Sequence, residues 1–188
     1  MSDLISVAII GKSAEKLASD LGVSNSPLEG ADVALFIVSA IDGIVRADMD
    51  SWNTARELYV PSIVVISDTD NADLDFDDMT AIASKMLDPV ATKYLVLHAD
   101  NGDPVALIDL VTLKIIDYSS GQALVRDSDD EHKELIGDYV TEYLDRIEEA
   151  GEAGFVQGLL FPALPWIAGS AMGLDQIKEL LNEIPAIR

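Results

Sequence analysis

Three short apolar runs alternate with other segments along about the first 90 residues of the chain. The runs cover residues 5–10, 33–40 and 62–66, and their β-branched residues are typical of strands buried on both faces. Helices are predicted at residues 14–21, 50–59 and 76–87, and Asp50 or Ser51 is the candidate cap of the second. Strands that alternate with helices in this way predict a parallel α/β sheet.

The pattern changes after Pro89. Strands are predicted at residues 94–98, 106–118 and 123–125, and a long helix at residues 131–150. The face of that helix predicted to be buried consists of Leu135, Ile136, Tyr139, Val140, Tyr143, Leu144 and Ile147, which keep helical spacing. A fourth parallel strand at residues 165–168 and a helix at residues 174–184 resume the first pattern. We therefore predict an α/β domain of residues 1–90 and 164–188, interrupted by an α+β insert at residues 91–163.

The charge of the chain narrows the classes of partner. With 34 acidic and 12 basic residues, its 188 residues carry a net charge of −22. This field repels phosphate backbones and disfavours direct nucleic-acid binding. It attracts a basic partner, or it serves solubility alone. The chain has no cysteine and no segment typical of a signal peptide or membrane span, so we expect a cytoplasmic protein.

Three stretches of the sequence together resemble one known family. Residues 30–66 combine a strand, the turn Asp42-Gly43, a helix and the strand entry Val60-Pro61. Residues 106–118 contain a strand that reads Ala-Leu-Ile-Asp-Leu, and residues 164–185 contain the loop Gly169-Ser170-Ala171 before a helix. In this order they resemble the GTPase domain of elongation factor G with its inserted G′ subdomain. The resemblance implies a P-loop-NTPase-like fold.

Binding of phosphates in this family depends on a glycine-rich loop that ends in Gly-Lys-Ser or Gly-Lys-Thr. Gly11-Lys12-Ser13 resembles the end of that loop. The earlier glycine of the pattern is replaced by Ser6, which lies in the first apolar run. The triplet is therefore either a remnant of a nucleotide site or a plain strand-to-helix turn with Ser13 as its cap.

The segments that carry out hydrolysis in the family have no room in this chain. Only one helix and a connection fit between Ser13 and Ala31, where the family has its first switch, two strands and its second switch. The only histidines, His98 and His132, lie in the insert, away from the place of the family's catalytic histidine. We therefore expect no catalytic residue, no GTP hydrolysis and a parallel sheet reduced to about four strands.

The loop that reads guanine in the family is only partly present. Its Asn-Lys-x-Asp pattern corresponds to Ser67-Asp68-Thr69-Asp70. Asp70 matches the carboxylate that accepts the protons of the base, whereas Asp68 replaces the lysine. Together with Ser170 and Ala171, Asp70 predicts either weak binding of GTP or GDP or a loop that has lost binding. No cofactor is otherwise expected.

No other set of residues predicts a binding or catalytic centre. The acidic run over residues 68–78 lacks the glycine and glutamate of a calcium loop, and two histidines without cysteine disfavour zinc. We therefore expect no metal site. Trp52 and Trp166 lie in a predicted helix and strand, where packing in the core is expected.

Loss of two strands should leave the first strand at the edge of the sheet. An unprotected apolar edge predicts pairing with a second copy or a partner, unless residues 22–30 or the first helix cover it. For function, we expect a non-catalytic binding or regulatory module linked to translation, with the ribosomal stalk protein or another translation component as partner. A weak GTP- or GDP-binding protein and a relative without activity are the alternatives.

Overall fold

A computed structural model describes residues 5–70 and 73–185. In chain order the elements are β1 (Val7–Ile10), α1 (Ala14–Leu21), β2 (Val33–Ser39), α2 (Arg46–Glu57), β3 (Ser62–Ser67), α3 (Phe76–Met86), β4 (Val90–Ala91), β5 (Tyr94–His98), β6 (Pro104–Asp109), β7 (Lys114–Asp117), β8 (Leu124–Asp127), α4 (Asp130–Leu135), α5 (Gly137–Ala150), β9 (Phe161–Trp166) and α6 (Leu174–Glu183). None of the helices in the described ranges is long and apolar enough to cross a bilayer.

The main sheet has five strands in the order β1-β2-β3-β9-β4, and all of its neighbours are parallel. The prediction of about four strands was one too low. The fifth strand, β4, has two residues and pairs with the start of β9. It follows Pro89 directly, and the sequence offers too few apolar positions there to predict a strand.

Helices cover both faces of this sheet, which explains why its central strands are continuously apolar. Every residue of β2 and β3 is buried. Because side chains alternate along a strand, Leu35 and Val65 face the cluster that includes α1 and α6, whereas Phe36 and Val64 face the cluster that includes α2 and α3. The layers are therefore helix, sheet, helix, as the alternating pattern predicted.

The insert forms a second, antiparallel sheet in the order β5-β6-β7-β8. Its own small core includes Leu95, Ile108 and Ile115. Other side chains of the insert, among them Leu107 and Phe155, join the α1 and α6 side of the main core. The insert is therefore packed against the domain that it interrupts.

The long helix of the insert differs from its prediction in two ways. It is two helices, α4 and α5, that meet at Ile136 just before Gly137. Of the seven apolar residues expected to be buried, only Ile136 is buried, and Val140 and Tyr143 pack partly against the core of the insert. Leu135 is 71% exposed, and Tyr139 and Leu144 are exposed as well. Helical spacing thus predicted too wide a buried face, of which Ile136, Val140 and Tyr143 pack against the core of the insert.

Other element boundaries shift for local reasons. Helix α2 begins at Arg46 instead of residue 50, and the Asp48 carboxylate accepts a hydrogen bond from the Val45 N–H at 3.3 Å. Residues 106–118 form two strands, because the Asp109 carboxylate accepts from the N–H groups of Val111 and Thr112 and closes a turn. Strand β9 covers residues 161–166 instead of 165–168, so it begins inside the predicted insert.

Strand β1 lies at the edge of the main sheet, as predicted, and its outer side is covered. The carboxamide of Asn25 accepts a hydrogen bond from the Ile9 N–H at 2.8 Å and donates one to the Ile9 carbonyl at 3.1 Å. The Ser26 N–H donates to the Val7 carbonyl at 2.9 Å. The Asn25 carboxamide thus makes the two hydrogen bonds that a peptide group of a neighbouring strand would make. Residues 22–30, and not the first helix, thus supply the hydrogen bonds that cover this edge. Pairing with a second copy or a partner stays a prediction.

Replacing Asn25 with alanine should uncover this edge. The Ile9 peptide group would lose both partners and turn to solvent, which should lower the free energy of unfolding by about 1 kcal/mol. Exposed edges recruit other strands, so light scattering should then detect association that increases with protein concentration. Asn182→Ala, at an exposed position of α6, is the matched control. It should leave both the free energy of unfolding and the association state of the parent protein unchanged. An uncovered edge that leaves the protein monomeric would contradict this role of Asn25.

Candidate functional site

The carboxyl ends of four parallel strands place four loops at one edge of the main sheet, the position where open α/β sheets bind ligands. The loops are residues 11–13 after β1, residues 40–45 after β2, the described residues 68–70 and 73–75 after β3, and residues 167–173 after β9. All candidate nucleotide-binding residues of the sequence lie in three of them, Gly11, Lys12, Ser13, Asp70, Ser170 and Ala171. We call this region the carboxyl edge.

Only Gly11, Lys12 and Ser13 join β1 to α1. Gly11 has φ +111°, and a Cβ at this position would lie 2.6 Å from the Ile37 carbonyl oxygen. The glycine therefore lets the turn pass closely over β2. Ser6, at the position of the missing glycine, lies just before β1 and exchanges hydrogen bonds with Asp32. The residues that would surround phosphates in a full loop, 6–10, thus form β1 and the position just before it.

Ser13 occupies the N-cap position of α1 in a left-handed conformation, φ 68°. Its hydroxyl makes no capping hydrogen bond, so the turn has the predicted position of the cap without its usual chemistry. The carbonyl of Ser13 accepts from the N–H groups of Lys16 and Leu17 at 3.0 Å. These bonds start the helix through the backbone alone.

The ammonium of Lys12 is paired with the carboxylate of Asp42, which sequence reasoning had placed only in a turn. Lys12 Nζ lies 2.7 Å from Asp42 Oδ2. This hydrogen bond raises the pKa of Lys12 and lowers the pKa of Asp42, so both groups are charged at neutral pH. The pair is exposed to solvent and therefore weak. It directs the lysine to the second loop, where a phosphate-binding lysine would need to be free.

Asp68 links the second and third loops through two serine hydroxyls. Its Oδ2 accepts hydrogen bonds from Ser39 Oγ at 2.6 Å and from Ser67 Oγ at 2.9 Å. Ser39 Oγ in turn accepts from the N–H groups of Ile41 and Asp42 at 3.2 and 3.3 Å. These bonds hold Asp68 at φ 63°, a conformation that aspartate tolerates better than most residues. An acidic network therefore occupies the place of the family's lysine.

The candidate guanine-binding residues Asp70, Ser170 and Ala171 are not joined to one another by hydrogen bonds. Asp70 is exposed. Ser170 Oγ accepts a hydrogen bond from the Met172 N–H at 3.1 Å, and the Ser170 N–H donates to the Ile167 carbonyl at 3.0 Å. Among the described residues, no hydrogen bond joins Asp70 to Ser170 or Ala171. Guanine binding by these three residues stays a prediction.

The charges at the carboxyl edge oppose an anionic ligand. The four loops contribute five carboxylates against the one ammonium of Lys12, those of Asp42, Asp68, Asp70, Asp73 and Asp75. A nucleotide would have to bring its phosphates into this negative field. Within residues 5–70 and 73–185, no three acidic or histidine side chains are grouped so that they could hold a metal ion, which would otherwise reverse that charge.

No protein-family model matches the chain. In sequence it is 25% identical to a protein named "Elongation factor G-like protein" in each of two Mycobacterium tuberculosis strains, over 187 residues that cover 87% of this chain and 26% of each relative. In structure it is similar to a crystal structure of a protein from Thermus thermophilus, with a TM-score of 0.73, 25% identity and coverage of 85% of this chain.

The chain spans about a quarter of the length of these proteins, 26% of the Mycobacterium relatives and 27% of the Thermus chain. The likeness extends over most of the chain, so it includes both the parallel sheet and the insert. By sequence and by fold, the chain is therefore similar to elongation factor G-like proteins.

Proposed function

We propose that this chain is a non-catalytic, elongation factor G-like binding module linked to translation. The observation that supports it best is the state of the carboxyl edge, where Lys12 pairs with Asp42 and Asp68 stands in the place of a lysine. The name of the Mycobacterium relatives supports the link to translation. The module would act by recruitment of another protein and not by phosphate chemistry.

Hydrolysis of GTP would need a base or water-positioning residue and a magnesium ligand near the phosphates. His98 ends β5, and His132 lies in α4 with its Nδ1 2.6 Å from Asp129. Both positions belong to the insert instead of the carboxyl edge. The connection from β1 to β2 contains α1 and turns, which supports the proposal that the switch segments are missing.

Titration with GDP and GTP tests whether the chain binds a nucleotide at all. We expect neither heat nor a thermal shift with GDP or GTP up to about 1 mM, with or without magnesium, because no loop surrounds the phosphates. Lys12→Ala is the matched variant and should leave these results unchanged. Saturable binding that Lys12→Ala or Asp70→Ala weakens would overturn the proposal in favour of the alternative, a weak GTP- or GDP-binding protein.

The insert offers the surface for a protein partner. Its exposed large apolar side chains, among the described residues, are Val111, Leu124, Val125, Leu135, Tyr139, Leu144 and Leu159. Strand β8 is the last strand of its sheet, and all four of its residues are exposed, Val125 to 63%. An exposed edge strand and apolar residues among acidic side chains suit a partner with an apolar contact and a basic rim.

We propose the ribosomal stalk protein or another translation component as this partner, because the resembling family presents its insert to the stalk. Recovery of ribosomal or translation-factor proteins from lysate should decrease about tenfold or more for the variant Leu124→Ser/Val125→Ser. Leu58→Ser/Tyr59→Ser, at exposed positions after α2, is the control and should recover them as before. Equal recovery by both variants, or no translation protein at all, would contradict this docking surface.

A further inference from the structure

A cavity of about 300 Å³ lies between the insert and the main domain. Its walls come from α5, α6, residues 162–164 of β9, residues 151–160, and from Lys93, Tyr94 and Val111 of the insert. The carboxyl edge lies at the other end of β9, so this cavity is separate from the candidate nucleotide site. Its volume is at the lower end of the range for sites that bind small molecules.

The interior of the cavity is mostly apolar and aromatic. Its lining includes Tyr94, Tyr143, Phe155, Leu160, Leu164 and Leu180. Burial raises the pKa of the Tyr94 and Tyr143 hydroxyls, so these groups stay protonated and neutral at physiological pH. These aromatic rings and the leucine side chains are a suitable environment for the hydrophobic body of an organic ligand.

The lining of the cavity contains more acidic than basic residues. Lys93 is the basic one, and its ammonium is already engaged, 3.5 Å from Asp109 Oδ2 and 5.2 Å from the centre of the Tyr94 ring. The acidic ones are Glu152, Glu179 and Glu183. Over the described ranges, no lysine, arginine or histidine forms an ion pair with these three carboxylates. Among the described residues, the lining therefore has three solvent-exposed carboxylates without an ion-pair partner beside an apolar interior.

We propose that this cavity binds a small apolar amine, whose hydrophobic body enters among the aromatic side chains while its ammonium faces Glu179 and Glu183. An apolar cavity with few polar groups selects a compact hydrophobic ligand, and the carboxylates select its positive charge. An anion of the same shape would be repelled, because the lining has three carboxylates and only one ammonium group. This inference goes beyond the role in translation and does not depend on it.

Tryptamine and indole-3-propionate are matched probes, because they share an aromatic body and differ in the sign of their charge. Calorimetry on the whole chain should detect tryptamine with a Kd of about 1 mM or tighter. Indole-3-propionate should bind at least about tenfold more weakly. Glu179→Gln/Glu183→Gln should weaken tryptamine about three- to tenfold and leave indole-3-propionate unchanged or improved.

Val111→Trp fills the cavity from an exposed position of its lining and should weaken tryptamine about tenfold. Leu124→Trp, exposed in the same insert and outside the lining, should leave binding unchanged. The proposal is wrong if tryptamine does not bind at about 10 mM, if both probes bind equally, or if Val111→Trp and Leu124→Trp behave alike. Circular dichroism of each variant establishes that it is folded.

Discussion

Replacing Gly173 with alanine should be among the most destabilising substitutions in this protein, with a loss of about 3–5 kcal/mol in the free energy of unfolding. Gly173 caps the start of α6 with φ +85°, and a Cβ there would lie 1.7 Å from the Pro165 carbonyl oxygen. Pro165 belongs to β9, whose residues pair with β3. The strand is therefore not free to move away, and the start of α6 would have to shift.

Gly169→Ala is the matched control, because it separates backbone strain from steric contact. Gly169 has nearly the same φ, +86°, but a Cβ there would have no atom within 4 Å. This substitution should cost only the left-handed conformation, about 1 kcal/mol. Urea unfolding followed by circular dichroism measures both losses. Similar losses in the two variants would show that the approach to Pro165 is not the cause.

This pair also explains part of the loop that resembles a guanine site. Gly173 permits α6 to begin against β9, and Ser170 fixes the turn through its hydrogen bond from the Met172 N–H at 3.1 Å. Both roles concern folding alone. A loop of small residues at this position is therefore understandable in a protein that binds no nucleotide, which agrees with the proposed function.

The sequence predicted the elements whose burial is reflected directly in their composition. Helix α1 and strand β5 have the predicted bounds, and β2 and β3 differ by one residue at one end. Strands covered on both faces must be apolar throughout, so they stand out without tertiary information. The resemblance to elongation factor G-like proteins, which depended on the order of such elements, is supported by the likeness in sequence and fold.

Features that depend on neighbouring elements were missed or misplaced. Leu135 and Leu144 have the spacing of a buried face, yet burial is decided by whether another element lies against that face. Asp42 lies 30 positions from Lys12, and only the parallel order of β1 and β2 brings the two together. The replacement of the lysine by Asp68 was evident from the sequence, but its bonds to Ser39 and Ser67 were not.

Replacing Trp52 with alanine should cost about 3–5 kcal/mol in the free energy of unfolding. Trp52 is 1% exposed. Its ring contacts Phe36 and Phe161 edge to face, each at 5.0 Å between centres. The Trp52 Nε1–H donates to Asp88 Oδ2 at 2.8 Å, and the Arg56 Nε–H donates to the same oxygen at 2.9 Å. The substitution would therefore open a cavity and leave Asp88 with only Arg56.

Comparison with Trp166 separates the packing of the ring from its hydrogen bond. Trp166 is buried to a similar degree, 2% exposed, but its Nε1–H has no partner among the described residues. Trp52→Phe should cost about 2–3 kcal/mol, because it loses volume and a bond to a carboxylate. Trp166→Phe should cost about 1 kcal/mol, because lost volume is offset by removal of an unpaired buried donor.

Each phenylalanine variant retains one tryptophan, since the chain has two, so fluorescence can follow urea unfolding in both. Trp166→Phe as costly as Trp52→Phe would mean that the bond to Asp88 contributes little. In that case the packing of the Trp52 ring against Phe36 and Phe161 would account for most of its contribution. If instead Trp52→Phe is the more costly variant and Asp88→Asn lowers that difference, the Trp52–Asp88 bond also ties α2 to the segment that leads into β4. That segment leads through β4 to β5, the first strand of the insert, so the bond joins α2 to the part of the chain from which the insert begins.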